Sequence, residues 1–163
     1  MRHGLRELGV TLIEVMTVVV LVGIVSALAV PAWNRVLADM RRRSATNLVV
    51  NDIFYTRMLA VRSGRSAVMR FDGGGRCPMG AGARVVSEGY RVVISGPVEH
   101  EVKAVSLRAT LGKVCLQTNN SDSIAFDSRG LLIPFANRTL WLDGGTGVND
   151  TVSISVVGRV LRR

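Results

Sequence analysis

Between Glu14 and Arg35 the chain passes through twenty consecutive uncharged positions, Val15 to Asn34, dominated by Val, Leu, Ile and Ala. As a helix rising about 1.5 Å per residue, that stretch reaches roughly 30 Å, one hydrocarbon thickness, and predicts a membrane span. Helical periodicity continues past Pro31, with Leu37, Met40, Leu48, Tyr55 and Leu59 on one face. This predicts one long helix to about Arg62, bent rather than ended at Pro31, whose ring removes a hydrogen bond. Arg35, Arg42, Arg43 and Arg57, with Asp39, lie roughly opposite the stripe and read as a solvated face or an anion-facing one. From Ser66 the pattern changes to short runs of period two separated by turn residues. Ala67 to Phe71, Tyr90 to Ile94, Val102 to Leu107, Lys113 to Gln117, Ser123 to Phe126, Thr139 to Leu142 and Thr151 to Val157 read as antiparallel strands. With no repeat and no βαβ alternation, the expectation is an α+β fold in which a sheet covers the outer half of the helix around one core.

Composition narrows the function classes. A length of 163 residues with 48% apolar content supports one modest core, and 21 Lys plus Arg against 12 Asp plus Glu gives a net charge of +9, so the partner sought is anionic. The excess is almost all arginine, which suits bidentate phosphate contacts, although a GC-rich genome produces the same skew. Two histidines, His3 and His100, and two cysteines, Cys77 and Cys115, are poor material for acid/base, nucleophilic or zinc chemistry, so no enzyme, metal or cofactor is expected. Gly73 to Gly75 and Gly80 to Gly82 lack the Gly-Lys-Ser/Thr of a phosphate loop, and Asp143 to Asp150 lacks the acidic spacing of a calcium loop and reads as a tight hairpin. His100, between Glu99 and Glu101 with no companion ligand, reads as a surface residue. Cys77 and Cys115 are either two buried thiols or a bridge closing a loop of roughly 38 residues, which adds on the order of 3 to 4 kcal/mol.

The start of the apolar stretch carries its own chemistry. A carboxylate such as Glu14 costs about 2.5 to 3.5 kcal/mol in a membrane and therefore calls for a partner. Ser26-Ala27-Leu28-Ala29 imitates a signal-peptidase site, but the apolar core is long for a signal peptide. Gly9 followed by Val10-Thr11-Leu12-Ile13-Glu14 reads instead as a cleavage site placed before the core, with Glu at the fifth mature position and Pro31 at the twenty-second. With these residues the chain resembles a type IV prepilin. The resemblance implies that a prepilin peptidase cuts after Gly9 and that Val10, where most members have Phe, becomes the methylated terminus. It also implies that Glu14 meets a freed amine, its own or a neighbour's, during assembly. Phe126-Asp127-Ser128-Arg129-Gly130, Thr139 to Leu142 and Val152 to Arg159 are similar to the minor pilins FimT and FimU and the secretion pseudopilin GspH.

The implied organisation is a leader at 1–9, a transmembrane and assembly half-helix at 10–33, an outer half-helix at 34–65 and a β-rich periplasmic head at 66–163. Arg35, Arg41, Arg42 and Arg43 beyond the span outnumber Arg2 and Arg6 before it, so charge counting alone orients the chain the other way. The family and the cysteine pair favour a periplasmic head. Implied partners are other pilins or pseudopilins, the prepilin peptidase and an inner-membrane assembly platform. Gly158-Arg159-Val160-Leu161-Arg162-Arg163 reads as a mobile basic tail. Some FimT-like members bind DNA through Gly-Arg-x-Arg near this end; here Leu161 stands at the second arginine position and the arginines shift to Arg162 and Arg163. Nucleic-acid binding through Arg159, Arg162 and Arg163 would engage backbone phosphates and weaken with salt. Three readings stand: a structural filament subunit, the same scaffold with DNA-receptor function, and a simple anchored or secreted β-domain.

Overall fold

Leucine, alanine and methionine interspersed with valine carry helix α1, Leu12–Ser63, to Gly64, which ends it at φ +65, a conformation open to glycine without a Cβ penalty. The computed structural model describes residues 11–74, 85–112, 114–119, 122–144 and 149–163, without the side chains of residues 28, 29, 31 and 32. The chain divides into two compact units, Met1–Leu37 and Ala38–Arg163, with α1 continuous across the division and helical through Pro31. In the first unit every described side chain from Leu12 to Ala27 is exposed. Among the described residues no helix is long and apolar enough to cross a membrane.

In the second unit α1 buries Arg42, Ala45, Thr46, Val49, Asp52, Ile53, Thr56 and Ala60, a run at helical spacing. The expected stripe is displaced. Leu37, Leu48, Tyr55 and Leu59 are half-buried flanks and Met40 is 60% exposed. The sheet meets a mixed face, in which Ala45, Val49, Ile53 and Ala60 alternate with polar residues that each have a bonding partner. The Thr46 and Thr56 hydroxyls donate to the carbonyls of Arg42 (3.0 Å) and Asp52 (2.6 Å). Of the arginines read as a solvated or an anion-facing face, Arg42 is buried and paired with Asp39 and Asp150, and Arg57 is half-buried.

The strands are β1 Ala67–Gly73, β2 Val85–Ile94, β3 His100–Ser106, β4 Cys115–Thr118, β5 Ser123–Phe126, β6 Leu132–Ile133, β7 Arg138–Asp143, β8 Asn149–Ile154 and β9 Val160–Arg162. They form one sheet, β6-β5-β1-β2-β4-β7-β8-β9, with β3 also on β2 and every pairing antiparallel. The seven expected strands are found, β5 with the expected bounds and the other six with shifted ends. β2 begins ahead of Tyr90, because Glu88 and Gly89 hide a strand that pairing imposes. Leu107 instead opens a short helix α2, Leu107–Leu111, where Ser106 caps the Ala109 N–H at 3.2 Å. Lys113 lies outside the described residues. β6 and β9 were not expected, being too short for a period to show.

One edge of β2 serves two partners: residues 85–87 pair with β4 and residues 89–94 with β3. Gly89 sits at the changeover, where a Cβ would lie 2.6 Å from the Val105 carbonyl oxygen, so no larger residue fits without backbone movement. The inward face stacks Met69, Tyr90, Val92, Leu116, Ile124, Phe126, Leu140, Leu142, Val152 and Ile154 on Ala45, Val49, Ile53 and Ala60 of the helix. The sheet curls far enough for its ends to touch: the Leu132 N–H donates to the Val156 carbonyl at 3.0 Å.

Candidate functional site

Gly9 and Val10 lie outside the described residues. Thr11 caps the helix that follows, its hydroxyl and carbonyl accepting the Glu14 N–H at 3.3 and 3.1 Å. Thr-x-x-Glu is capping-box spacing, a local use of Thr11 that the reading of Glu14 as an assembly contact overlooked. The Glu14 carboxylate is exposed, has no bonding partner among the described residues, and sits in the first turn where the helix dipole favours a negative charge. Pro31 continues the helix backbone; its side chain is not described. Cys115 is buried on β4 and disulfide-bonded, while Cys77, the other cysteine of the chain, lies outside the described residues.

The carboxy-terminal arginines do not form a mobile tail. β9 pairs with β8 in the register Ile154↔Val160, Ser153↔Leu161, Val152↔Arg162, and Arg163 and Thr151 exchange two backbone hydrogen bonds at 2.9 Å. Backbone pairing with β8 holds a strand that the arginine count obscured. Arg162 turns back to the helix, donating to Asn47 Oδ1 at 2.9 Å and pairing with Asp150 at 3.0 Å. Arg159 and Arg163 are exposed.

Asp150, weighed in the sequence only as an oxygen ligand in a loop, is the centre of a buried polar cluster. It accepts from Arg42, from the Thr46 hydroxyl (2.8 Å) and from Arg162 (3.0 Å), and Arg42 also pairs with Asp39 one turn back. The Arg42 hydrogen bond holds the Asp39 carboxyl below its ordinary value, and the same contact raises Arg42. A second cluster joins the helix to the other half of the sheet. Asp52 accepts from Tyr90 Oη (2.7 Å) and from Lys103 Nζ (2.6 and 2.8 Å), and burial, then that hydrogen bond, pushes the Tyr90 hydroxyl up.

Arg57 reaches across both motifs that carried the family resemblance in the head. Its Nε donates to the Gly130 carbonyl at 3.0 Å and its Nη1 to the Gly158 carbonyl at 3.4 Å. Gly130 and Gly158 stand at φ +78 and +76, and a Cβ on either would come within 3.0 Å of the guanidinium. The signal for this site was the pair Asp127-Ser128-Arg129-Gly130 and Gly158-Arg159, read as family marks without their shared helix partner. Asp127 closes the first turn, accepting from the backbone N–H groups of Leu131 (2.8 Å) and Arg129 (2.9 Å) and from the Arg129 guanidinium. These contacts, the Leu131 N–H foremost, hold its carboxyl below the usual range. His100 is exposed at the start of β3, and the β7–β8 hairpin pairs Asp143 with Asn149 while residues 145–148 lie outside the described residues. Among the described residues no three His, Cys, Asp or Glu side chains gather as metal ligands.

No family model and no curated protein matches the chain. Among solved structures it is similar to the type IV minor pilin FimU of Pseudomonas aeruginosa strain PAO1 in two crystal forms. In the P65 form the identity is 17% at a TM-score of 0.54, over 74% of this chain and 91% of that one. In the P21 form the identity is 20% at a TM-score of 0.56, over 74% and 87%. A long amino-terminal helix laid on one large antiparallel sheet is thus the type IV pilin fold, and this chain has it.

Proposed function

We propose that the chain is a minor pilin or pseudopilin, a structural subunit without catalytic activity that initiates, caps or supports an inner-membrane-anchored filament of the type IV pilus or type II secretion machinery. The observation that carries this reading is the pilin fold joined to Gly9-Val10 and Glu14 at the head of a twenty-residue uncharged stretch. Glu14 supports it further: its carboxylate has no partner among the described residues, which suits an amine on another subunit. On this reading the leader 1–9 is removed, the segment from Val10 to Trp33 spans the inner membrane, the head faces the periplasm, and the partners are other pilins, the prepilin peptidase and the assembly platform. Co-expression with a prepilin peptidase and intact-mass measurement tests it. Loss of Met1 to Gly9, abolished by Gly9→Ala, is expected; cleavage near Ala29, or a Gly9→Ala chain that matures to the same mass, rejects it.

A DNA-uptake role is the second reading, favoured by the exposed Arg159 and Arg163 and weakened by the bonds that occupy Arg162. Salt-sensitive binding of labelled duplex DNA, lost when Arg159, Arg162 and Arg163 are changed to alanine, would select it over a purely structural subunit.

A further inference from the structure

Where the two ends of the sheet meet, three large apolar side chains face outward: Ile133 at 39% exposure, Phe135 at 62% and Val157 at 59%. Backbone bonds hold them in one neighbourhood. Leu132 N–H donates to the Val156 carbonyl, the Val156 N–H donates to Asn137 Oδ1 at 3.2 Å, and Arg57 ties the Gly130 and Gly158 turns together. The same region carries the exposed Arg129 and Arg159, and the Asp127 carboxylate beside them is already engaged by the 127–131 turn.

Arg138 does not belong to this surface. It opens β7 on the inward face shared with Leu140 and Leu142 and is only 3% exposed. No hydrogen bond or ion pair meets its guanidinium among the described residues, and its Nε is buried without a partner. Its guanidinium, on that inward face, therefore lies on the core side of the sheet, away from the outward apolar patch.

We propose that this end of the sheet docks an acidic segment of another protein, its apolar side chains resting on Ile133, Phe135 and Val157 and its carboxylates facing the exposed Arg129 and Arg159. A second copy is disfavoured because the chain carries +9 and would approach itself with like charge. Nucleic acid is disfavoured because two of the three apolar groups are aliphatic and offer no ring for a base to stack on. The surface stands apart from the filament reading and does not depend on leader cleavage.

The test titrates the full chain, in detergent, with a short labelled peptide alternating leucine and glutamate, with its glutamine and lysine analogues, and with a labelled single-stranded oligonucleotide. The glutamate peptide is expected to bind about tenfold tighter than the glutamine analogue and to leave the lysine analogue unbound. Changing Phe135→Ser with Val157→Ser weakens it about tenfold while leaving the melting temperature in place, since both positions are exposed. Changing Arg129→Gln with Arg159→Gln narrows the preference for glutamate over glutamine. Equal binding of the two peptides, indifference to the paired serine substitutions, or binding of the oligonucleotide alone overturns the proposal, as does binding of none.

Discussion

Replacing Asp150 by alanine removes one carboxylate that serves three donors from two elements: Arg42 and Thr46 on the helix, and Arg162 on the last strand. The side chains of Arg42 and Asp150 are 10% and 11% exposed, so the pair is shielded from water and its loss is not a surface effect. Removing one partner of a buried pair costs about 3 to 5 kcal/mol; because Arg42 keeps Asp39, the lower figure applies, about 3 kcal/mol. At ~4 °C per kcal/mol for a unit of this size, the melting temperature should fall by about 12 °C. The assay is thermal unfolding followed by circular dichroism on the full chain, beside Arg42→Met and the double variant. Removing the cation as well leaves no orphaned charge, so the double variant should be less destabilised than the sum of the singles by about 1 to 2 kcal/mol. A single Asp150→Ala variant within about 0.5 kcal/mol of the parent, the usual range of surface substitutions, would refute the argument that this cluster clamps helix to sheet.

Gly158→Ala places a Cβ 2.9 Å from Arg57 Nε at φ +76 and is expected to cost about 1 to 3 kcal/mol in a denaturant melt; adding Arg57→Ala should recover only the steric part, leaving the backbone strain. Reduction of the disulfide at Cys115 should lower stability by about 3 to 4 kcal/mol by the chain-entropy relation, and an unchanged melt under reductant would remove the bridge from the account. Asp127 is held below its ordinary value of 3.8, so the stability it contributes is present above that pH and is lost as pH falls below it; Asp127→Asn should flatten the acid limb of a stability-versus-pH curve, and an identical limb in both proteins would refute its role.

The helix and seven strands were legible because each is long enough for its period to register: α1 in its uncharged stretch, β1 and β5 almost to the residue. The direction in which α1 faces the sheet was not. Hydrophobicity selected Leu37, Met40 and Leu48, whereas packing selected Ala45, Thr46, Asp52 and Thr56, whose small size or specific bonds outweigh greasiness at close approach. The partners of Arg42 and Arg57 were hidden for the same reason, since periodicity records polarity but not a partner 108 or 101 residues away. Glu14 was legible because a charge at the edge of an apolar run is conspicuous locally. Arg162 was misjudged because its restraint comes from Asn47 and Asp150, neither of them a sequence neighbour.

The bonds from Arg42 to Asp150, from Arg57 to Gly158 and from Arg162 to Asn47 make the helix depend on residues 108, 101 and 115 positions further along the chain. During synthesis α1 emerges first, and its stripe of Arg42, Thr46 and Asp52 has no sheet to meet until β2, β3, β8 and β9 have followed. Contacts this distant along the chain close late and slowly. Throughout that interval the stripe's own polar groups can be met by water, as an equivalent leucine stripe could not. Water can thus serve the seam's polar groups until β3 brings Lys103 to Asp52 and β8 brings Asp150 to Arg42.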